Sequence, residues 1–252
     1  MPKPIAWIGV NLSSNRESLL RDSVNYHNNT ATISEQMTTT PNQYEYSYQN
    51  SQAEHHHNYL LKPLMEMMSE MLPPPDNNQK PRILDIGCGN GSLSNFLAQQ
   101  GYEVVGVEES ESGVKLANQS FTNCRFIQGS IYDLPYSELG DNFDIVIAVE
   151  VIEHLFYPKE LVRSAKKCLK PNGGLILTTP YHGYLKNLVM AATGKMDNHF
   201  TVLWDGGHIK FFSVPTMTAL LKSENYTNIK FKFAGRFPYL WKTMLCSSTI
   251  VQ

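Results

Sequence analysis

Residues Arg82-Ile-Leu-Asp85-Ile-Gly87-Cys-Gly89-Asn-Gly91 constrain this chain more than any other segment. An apolar run that reads as a buried strand ends at Asp85, three glycines follow at alternate positions, and an amphipathic stretch begins at Ser92. The pattern predicts a strand, a tight turn and a helix start, with backbone amides exposed to a ligand.

From there to the C-terminus, strands and helices alternate as they do in a parallel sheet. Strands are predicted at Arg82 to Ile86, Glu103 to Glu108, Cys124 to Gln128, Phe143 to Val149, Gly174 to Thr179 and Asn228 to Phe233, with a last one near Met244 to Val251. Helices fit at His55 to Leu72, Ser92 to Gln100, Ser110 to Asn118, Pro158 to Leu169 and Ser213 to Ser223. Pro158 suits a first helical turn, while Pro171-Asn-Gly-Gly174 reads as a stop and turn. Pro73-Pro-Pro-Asp-Asn-Asn78 should stop the first helix. The expected fold is α/β, mainly parallel, with ligands at the carboxyl ends of the strands.

Upstream the composition changes. Residues 1–52 read as an N-terminal extension, and from Asn11 to about Gln52 they are rich in Asn, Ser, Thr, Gln and Tyr. Such a stretch buries too little apolar surface to offset ordering entropy, so it is expected to be disordered and to precede one domain over 53–252. With 252 residues, 42% hydrophobic, the chain can bury one good core. Its net charge of −2 argues against a general nucleic-acid binder. Four well-separated cysteines (Cys88, Cys124, Cys168, Cys246) with no C-x-x-C pair suit reduced thiols in a cytoplasmic setting. The opening Pro4 to Val10 is too short an apolar run for a membrane span or leader.

The second strand discriminates among nucleotide ligands. It ends in Glu108, 21 residues beyond Gly87, the spacing at which a carboxylate accepts hydrogen bonds from a ribose diol over the glycine turn. An adenosine derivative is the expected ligand. The Gly-x-Gly-x-Gly pattern lacks the third glycine of the dinucleotide fingerprint, and no Gly-Lys-Ser/Thr follows as in a P-loop. A purely structural turn is the competing reading of the glycines.

Four blocks in order, Leu84-Asp-Ile-Gly-Cys-Gly-Asn-Gly91, Val105-Gly-Val-Glu-Glu-Ser110, Phe143-Asp-Ile-Val-Ile-Ala-Val-Glu150 and Leu169-Lys-Pro-Asn-Gly-Gly-Leu-Ile-Leu-Thr178, resemble the class I S-adenosylmethionine-dependent methyltransferases. The resemblance implies a Rossmann-like sheet of seven strands, one reversed, with helices on both faces and S-adenosyl-L-methionine across Gly87, Gly89 and Gly91. It puts Asp85 and Gly87 by the methionine end, Glu108 on the ribose and Val149 beside the cofactor. At Gly129-Ser130-Ile131 many relatives place an acid that reads the adenine amino group; here Ser130 is a weak substitute and backbone groups must serve.

Val149-Glu150-Val-Ile-Glu153-His154 is the second rich signal. As one helical turn it would put 150, 153 and 154 on a shared face, two carboxylates and an imidazole in the cleft. Such oxygen and nitrogen donors suit magnesium, manganese or zinc, and His208 in Trp204-Asp-Gly-Gly-His-Ile-Lys-Phe-Phe-Ser213 offers a fourth ligand. The set is similar to that of the ubiquinone-biosynthesis O-methyltransferases and of the eukaryotic small-RNA terminal 2′-O-methyltransferases, and it implies a divalent metal. Three readings stand open: a metal site, a metal-free site with His154 as general base, and a set with no catalytic role in which Glu153 caps or orients.

Leu185, Leu188, Val189 and Ala192 within 181–196 recur at helical spacing near Lys186 and Lys195. The segment reads as a packed helix, with an amphipathic lid or weak membrane-surface helix as the alternative. Phe200, Trp204, Phe211 and Phe212 read as core aromatics that also suit an acceptor pocket. His55-His56-His57 reads as structural, although one of them, or Tyr46 or Tyr48, suits closing over the cofactor. The expected activity is methylation of a hydroxylated small-molecule or lipid-like acceptor. RNA 2′-O-methylation and a non-catalytic cofactor binder are the alternatives, the first disfavoured by the lack of a basic stripe.

Overall fold

Apolar alternation along the central strands decides which helices cover each face. The computed structural model describes residues 46–52, 57–72, 80–200 and 202–250. The bulk of the polar extension, His55, His56 and the Pro73 to Asn78 stop lie outside the described residues.

In chain order the elements are α1 (His57–Met71), β1 (Arg82–Ile86), α2 (Ser92–Gln99), β2 (Glu103–Glu108), α3 (Glu111–Ser120), β3 (Arg125–Gln128), α4 (Tyr136–Leu139) and β4 (Phe143–Val149). A 3-10 turn (Ile152–His154), α5 (Pro158–Cys168), β5 (Leu169–Pro180), α6 (Tyr184–Ala192), α7 (Met196–Phe200), α8 (Val214–Ser223), β6 (Tyr226–Ala234) and β7 (Thr243–Ile250) follow. One sheet of seven strands runs β3-β2-β1-β4-β5-β7-β6. Every pairing is parallel except those of β7 with β5 and β6, so β7 is the reversed strand.

Ile83, Val104, Ile145, Ile147, Ile176 and Leu245 face α1 and α2, where Leu60, Leu64, Met67, Leu93 and Leu97 meet them. Leu84, Val146, Ala148, Leu175, Leu177 and Cys246 face the opposite layer with Leu161, Val162, Met217 and Leu221 of α5 and α8. Strands apolar on both faces are what a sheet covered by helices on both sides requires, and each fully buried Leu or Ile contributes about 1.5–3 kcal/mol. All four cysteines are free thiols. No described helix is long and apolar enough to cross a membrane.

Two local expectations need correction. The Pro171 to Gly174 turn does not precede the fifth strand but interrupts it: Leu169 already pairs with Phe143, and the ladder resumes at Gly174 opposite Ile145. Asn172 takes the left-handed backbone there (φ 61), a conformation its short polar side chain tolerates better than most. The apolar positions of α6 are also not packed, since Leu185, Leu188 and Val189 stand exposed while Lys186 is buried.

The chain leaves β1 towards β2 and β3 on one side, and β4 towards β5 on the other. The carboxyl ends of β1 and β4 therefore open a crevice at the switch point, the place where open α/β sheets bind ligands.

Candidate active site

At the end of β1 the backbone turns because Gly87 N and Cys88 N both donate to Val107 O, at 2.7 and 3.0 Å. Gly87 has φ +75, and a Cβ there would lie 2.6 Å from Val151 Cγ2. This glycine thus serves the loop and also lets the segment after β4 approach. Gly91, at φ +78, has Phe126 and Ala117 where a side chain would go, so it packs the start of α2 and does not line the cleft.

Glu108 is buried at the tip of β2, its Oε2 accepting from Gly89 N (2.8 Å) and its Oε1 from Ser110 N (2.9 Å). Burial raises its pKa, partly offset by these amides. Glu108 lines the cleft and has carboxylate lone pairs beyond those that take these amides, which fits a diol. Asp85 is buried and accepts from Ser94 Oγ at 2.7 Å; burial pushes its pKa to about 7. Ile131 and Val149 line the same cleft, and Ser130 does not. The Ser130 hydroxyl instead accepts from Tyr132 N, so the weak substitute for the adenine-reading acid turns away into its own loop. The positive-φ glycine cradle with a fixed acid beside it fits an adenosine cofactor.

The other wall comes from the segment after β4. Glu150 has a left-handed backbone (φ 55), an unfavourable state for a residue with a Cβ, costing roughly 1–2 kcal/mol. Its N–H donates to Thr178 Oγ1 (3.0 Å), whose hydroxyl in turn donates to Glu150 Oε1 (2.9 Å). Glu150 therefore precedes the turn instead of sharing its face. Only Glu153, His154 and His208 present ligand atoms within 4.8 Å of one another among the described residues. His208 reaches them because Ile209 N and Lys210 N both donate to Glu153 O, at 2.9 Å each.

The electrostatics of this trio are unusual. Glu153 is 0% exposed and neither carboxylate oxygen has a hydrogen-bond partner; Thr179 lies close enough to act on it, but no bond of proper geometry joins them. Burial, then the charge of Glu150, raises its pKa well above the carboxylate range. Burial lowers the pKa of His154, and burial with His154 nearby lowers that of His208 to about 4. Both imidazoles are thus neutral at pH 7 and keep a lone pair. An orphaned buried carboxyl facing two neutral imidazoles fits a divalent cation, because buried polar groups left unpaired are rare without such a role.

His154 is oriented from behind. Its Nδ1 lies 2.8 Å from Gly206 O, which can only accept, so Nδ1 carries the proton and Nε2 is the basic atom. Thr178 and the Gly206 carbonyl were not legible in the sequence: one is a strand-end threonine like its neighbour Thr179, the other a backbone atom. Of the aromatics, Phe200, Trp204 and Phe211 line the cleft while Phe212 packs in the core. His57 lies buried on α1 and also lines it. The cleft, about 1550 Å³, is bounded by Asp85, Gly87 and Glu108 on one side and Glu150, His154 and His208 on the other.

Residues 53–230 match the family described as methyltransferase domain. The mitochondrial ubiquinone biosynthesis O-methyltransferase of Schizosaccharomyces pombe is 30% identical over 154 residues, 58% of this chain and 54% of that protein. A ubiquinone biosynthesis O-methyltransferase from a Ruegeria species is 31% identical over 169 residues, 64% and 66% of the two chains. The chain spans about half the length of most of the curated relatives it matches. Magnesium protoporphyrin IX methyltransferase from Synechocystis, solved with bound SAH, superposes with a TM-score of 0.58 at 17% identity, covering 93% of this chain and 99% of that one. Strand order, the glycine turn with its acid and the family match over most of the chain agree: this protein belongs to the class I S-adenosylmethionine-dependent methyltransferases.

Proposed function

We propose that this chain transfers a methyl group from S-adenosyl-L-methionine to a hydroxyl of a small-molecule or lipid-like acceptor of the catechol or quinol kind, with a divalent cation held by Glu153, His154 and His208. The observation that carries the reading is the buried, unpartnered Glu153 carboxyl within 4.8 Å of two neutral imidazoles, His154 and His208, which line the same cleft as the glycine turn. The names of the relatives, which are O-methyltransferases, support oxygen as the acceptor atom.

Bound S-adenosyl-L-methionine supplies an electrophilic methyl group on a sulfonium centre. A divalent cation at the trio supplies a Lewis acid that lowers the pKa of an acceptor hydroxyl. The chain's own residues do the rest. Glu108, fixed by the Gly89 and Ser110 amides at the side of the glycine turn, orients the adenosine, which fixes the direction of attack. His154, with Nδ1 protonated, has Nε2 as its ligand atom for the cation, and Glu150, its pKa raised to about 7 by burial, is held by Thr178 beside the trio. Phe200, Trp204 and Phe211 line the cleft and give the acceptor an aromatic surface to pack against. The lipid-like part of the reading rests on Tyr184, Leu185, Leu188, Val202 and Leu203, exposed apolar side chains on α6 and after α7, of which Val202 lines the cleft. They suit a long apolar substituent or weak contact with a membrane surface.

The test is methyl incorporation from labelled S-adenosyl-L-methionine into catechols, lipid quinols, simple phenols and RNA, with and without chelator. Turnover on catechols or quinols that stops on chelation and returns with manganese, magnesium or zinc is the expected result. Chelator-insensitive turnover removes the metal and leaves His154 Nε2 as general base; no cofactor binding at millimolar concentration removes the whole reading.

A further inference from the structure

Residues 46–52 form a strap across the cleft, pinned on the cofactor side and ending on His154. Ser110 Oγ and Ser112 Oγ donate to Tyr46 O at 2.5 and 3.2 Å, and Tyr48 N donates to Ser112 Oγ at 3.1 Å. Asn90 Nδ2, inside the glycine turn, donates to Asn50 O and Gln52 O at 3.0 and 2.9 Å. The Tyr48 ring has a seat made by two missing side chains: a Cβ on Gly89 or on Gly113 would lie 3.0 Å from it. Loops after β1 and β2 are thus shaped to receive the strap.

At the strap's other end Tyr46 Oη donates to Gly206 O and lies 2.9 Å from His154 Nδ1. Since its proton goes to the carbonyl, its lone pair faces the Nδ1 proton, which sits between two acceptors. The rings of Tyr46 and Trp204 also stand edge-on to His154, at 5.6 and 6.0 Å. The imidazole is held in plane and tautomer by groups on two different segments.

We infer that Tyr46 is a positioning residue for methyl transfer: it fixes His154 with Nδ1 protonated and Nε2 free, and the strap makes that orientation depend on the loops that hold the cofactor. The role in catalysis rests on the proposed function; the positioning of His154 does not. Hydrogen-bond partners behind a reacting or metal-binding imidazole are commonly worth about 10- to 100-fold in activity or metal affinity.

Nitrogen-15 NMR of the histidine rings in chelator-treated protein tests the inference without turnover. Wild type should show His154 as a single tautomer with Nδ1 protonated; Tyr46→Phe, which removes one of the two Nδ1 acceptors and also the hydroxyl that anchors the other, the Gly206 carbonyl, should move both ring nitrogens towards averaged shifts. Tyr48→Ala, which leaves every group touching His154 in place, should give the same averaging. On an acceptor that turns over, Tyr46→Phe should lower kcat by about 10- to 100-fold while calorimetry finds cofactor affinity unchanged. Unchanged His154 shifts in Tyr46→Phe overturn the positioning role, and averaging in Tyr46→Phe without averaging in Tyr48→Ala overturns the link to the cofactor loops. Wild-type protein that shows the single tautomer, and loses it in both variants, but binds no S-adenosyl-L-methionine supports the strap and removes the proposed function.

Discussion

Replacing Glu153 with methionine keeps the volume of a side chain that is 0% exposed and removes two oxygens that have no hydrogen-bond partner. A buried polar group left unsatisfied costs about 1–3 kcal/mol, so the metal-free variant should be more stable than wild type by about that much. For a domain of this size each kcal/mol moves Tm by about 2–4 °C, giving a rise of roughly 2–12 °C. Calorimetric melting in chelator measures it. With manganese or zinc added at about 100 times Kd, wild type gains about 2.7 kcal/mol by mass action. The variant, having lost one of three ligands, should gain little, so the order of stabilities narrows or reverses. Glu153→Met melting below wild type in chelator, or equal metal stabilisation of both proteins, would refute the reasoning.

Glu108→Ala removes the acceptor for Gly89 N and Ser110 N as well as the ribose partner; hydrogen bonds to a charged group contribute about 1.5–3 kcal/mol, so calorimetry should find cofactor affinity about 10- to 100-fold weaker. Gly87→Ala forces a left-handed alanine, roughly 1–2 kcal/mol, and adds a clash with Val151; in denaturant melts Val151→Ala should recover the clash but not the backbone cost, and full additivity of the two changes sinks the assignment. Asp85 has its folded pKa raised from 3.8 to about 7 by burial, so the stability it contributes is fully present below about pH 3.8 and lost as pH rises through about 7. Tm of ligand-free protein measured from pH 4 to 8 should therefore decline less in Asp85→Asn than in wild type; parallel curves count against it.

Much of the cofactor half was readable in the chain. Regular apolar strands, Gly87 and Gly89 at turn positions and Glu108 at the right distance are local patterns whose geometry follows from backbone sterics. The acceptor half was only partly readable. Glu153, His154 and His208 were picked out by type and spacing, but the arrangement was not: an assumed helical turn put Glu150 with them, whereas a left-handed Glu150 and a 3-10 turn separate it. Ser130 was carried over by position in a loop, and loops set side-chain direction by contacts rather than periodicity. The same holds for α6, whose apolar spacing foretold a helix but not that the apolar face would be exposed.

By itself the sequence determined the fold class, the mainly parallel character of the sheet and the class of cofactor, because period-two and period-3.6 patterns and glycine turns act over a few residues. Tertiary structure alone decided which side chains meet. It brought Tyr46 to His154 across 108 positions and the Gly206 carbonyl to the same ring across 52. It also left Glu153 buried without a partner, since burial and pairing depend on what the rest of the chain packs around a group, and no local pattern records that.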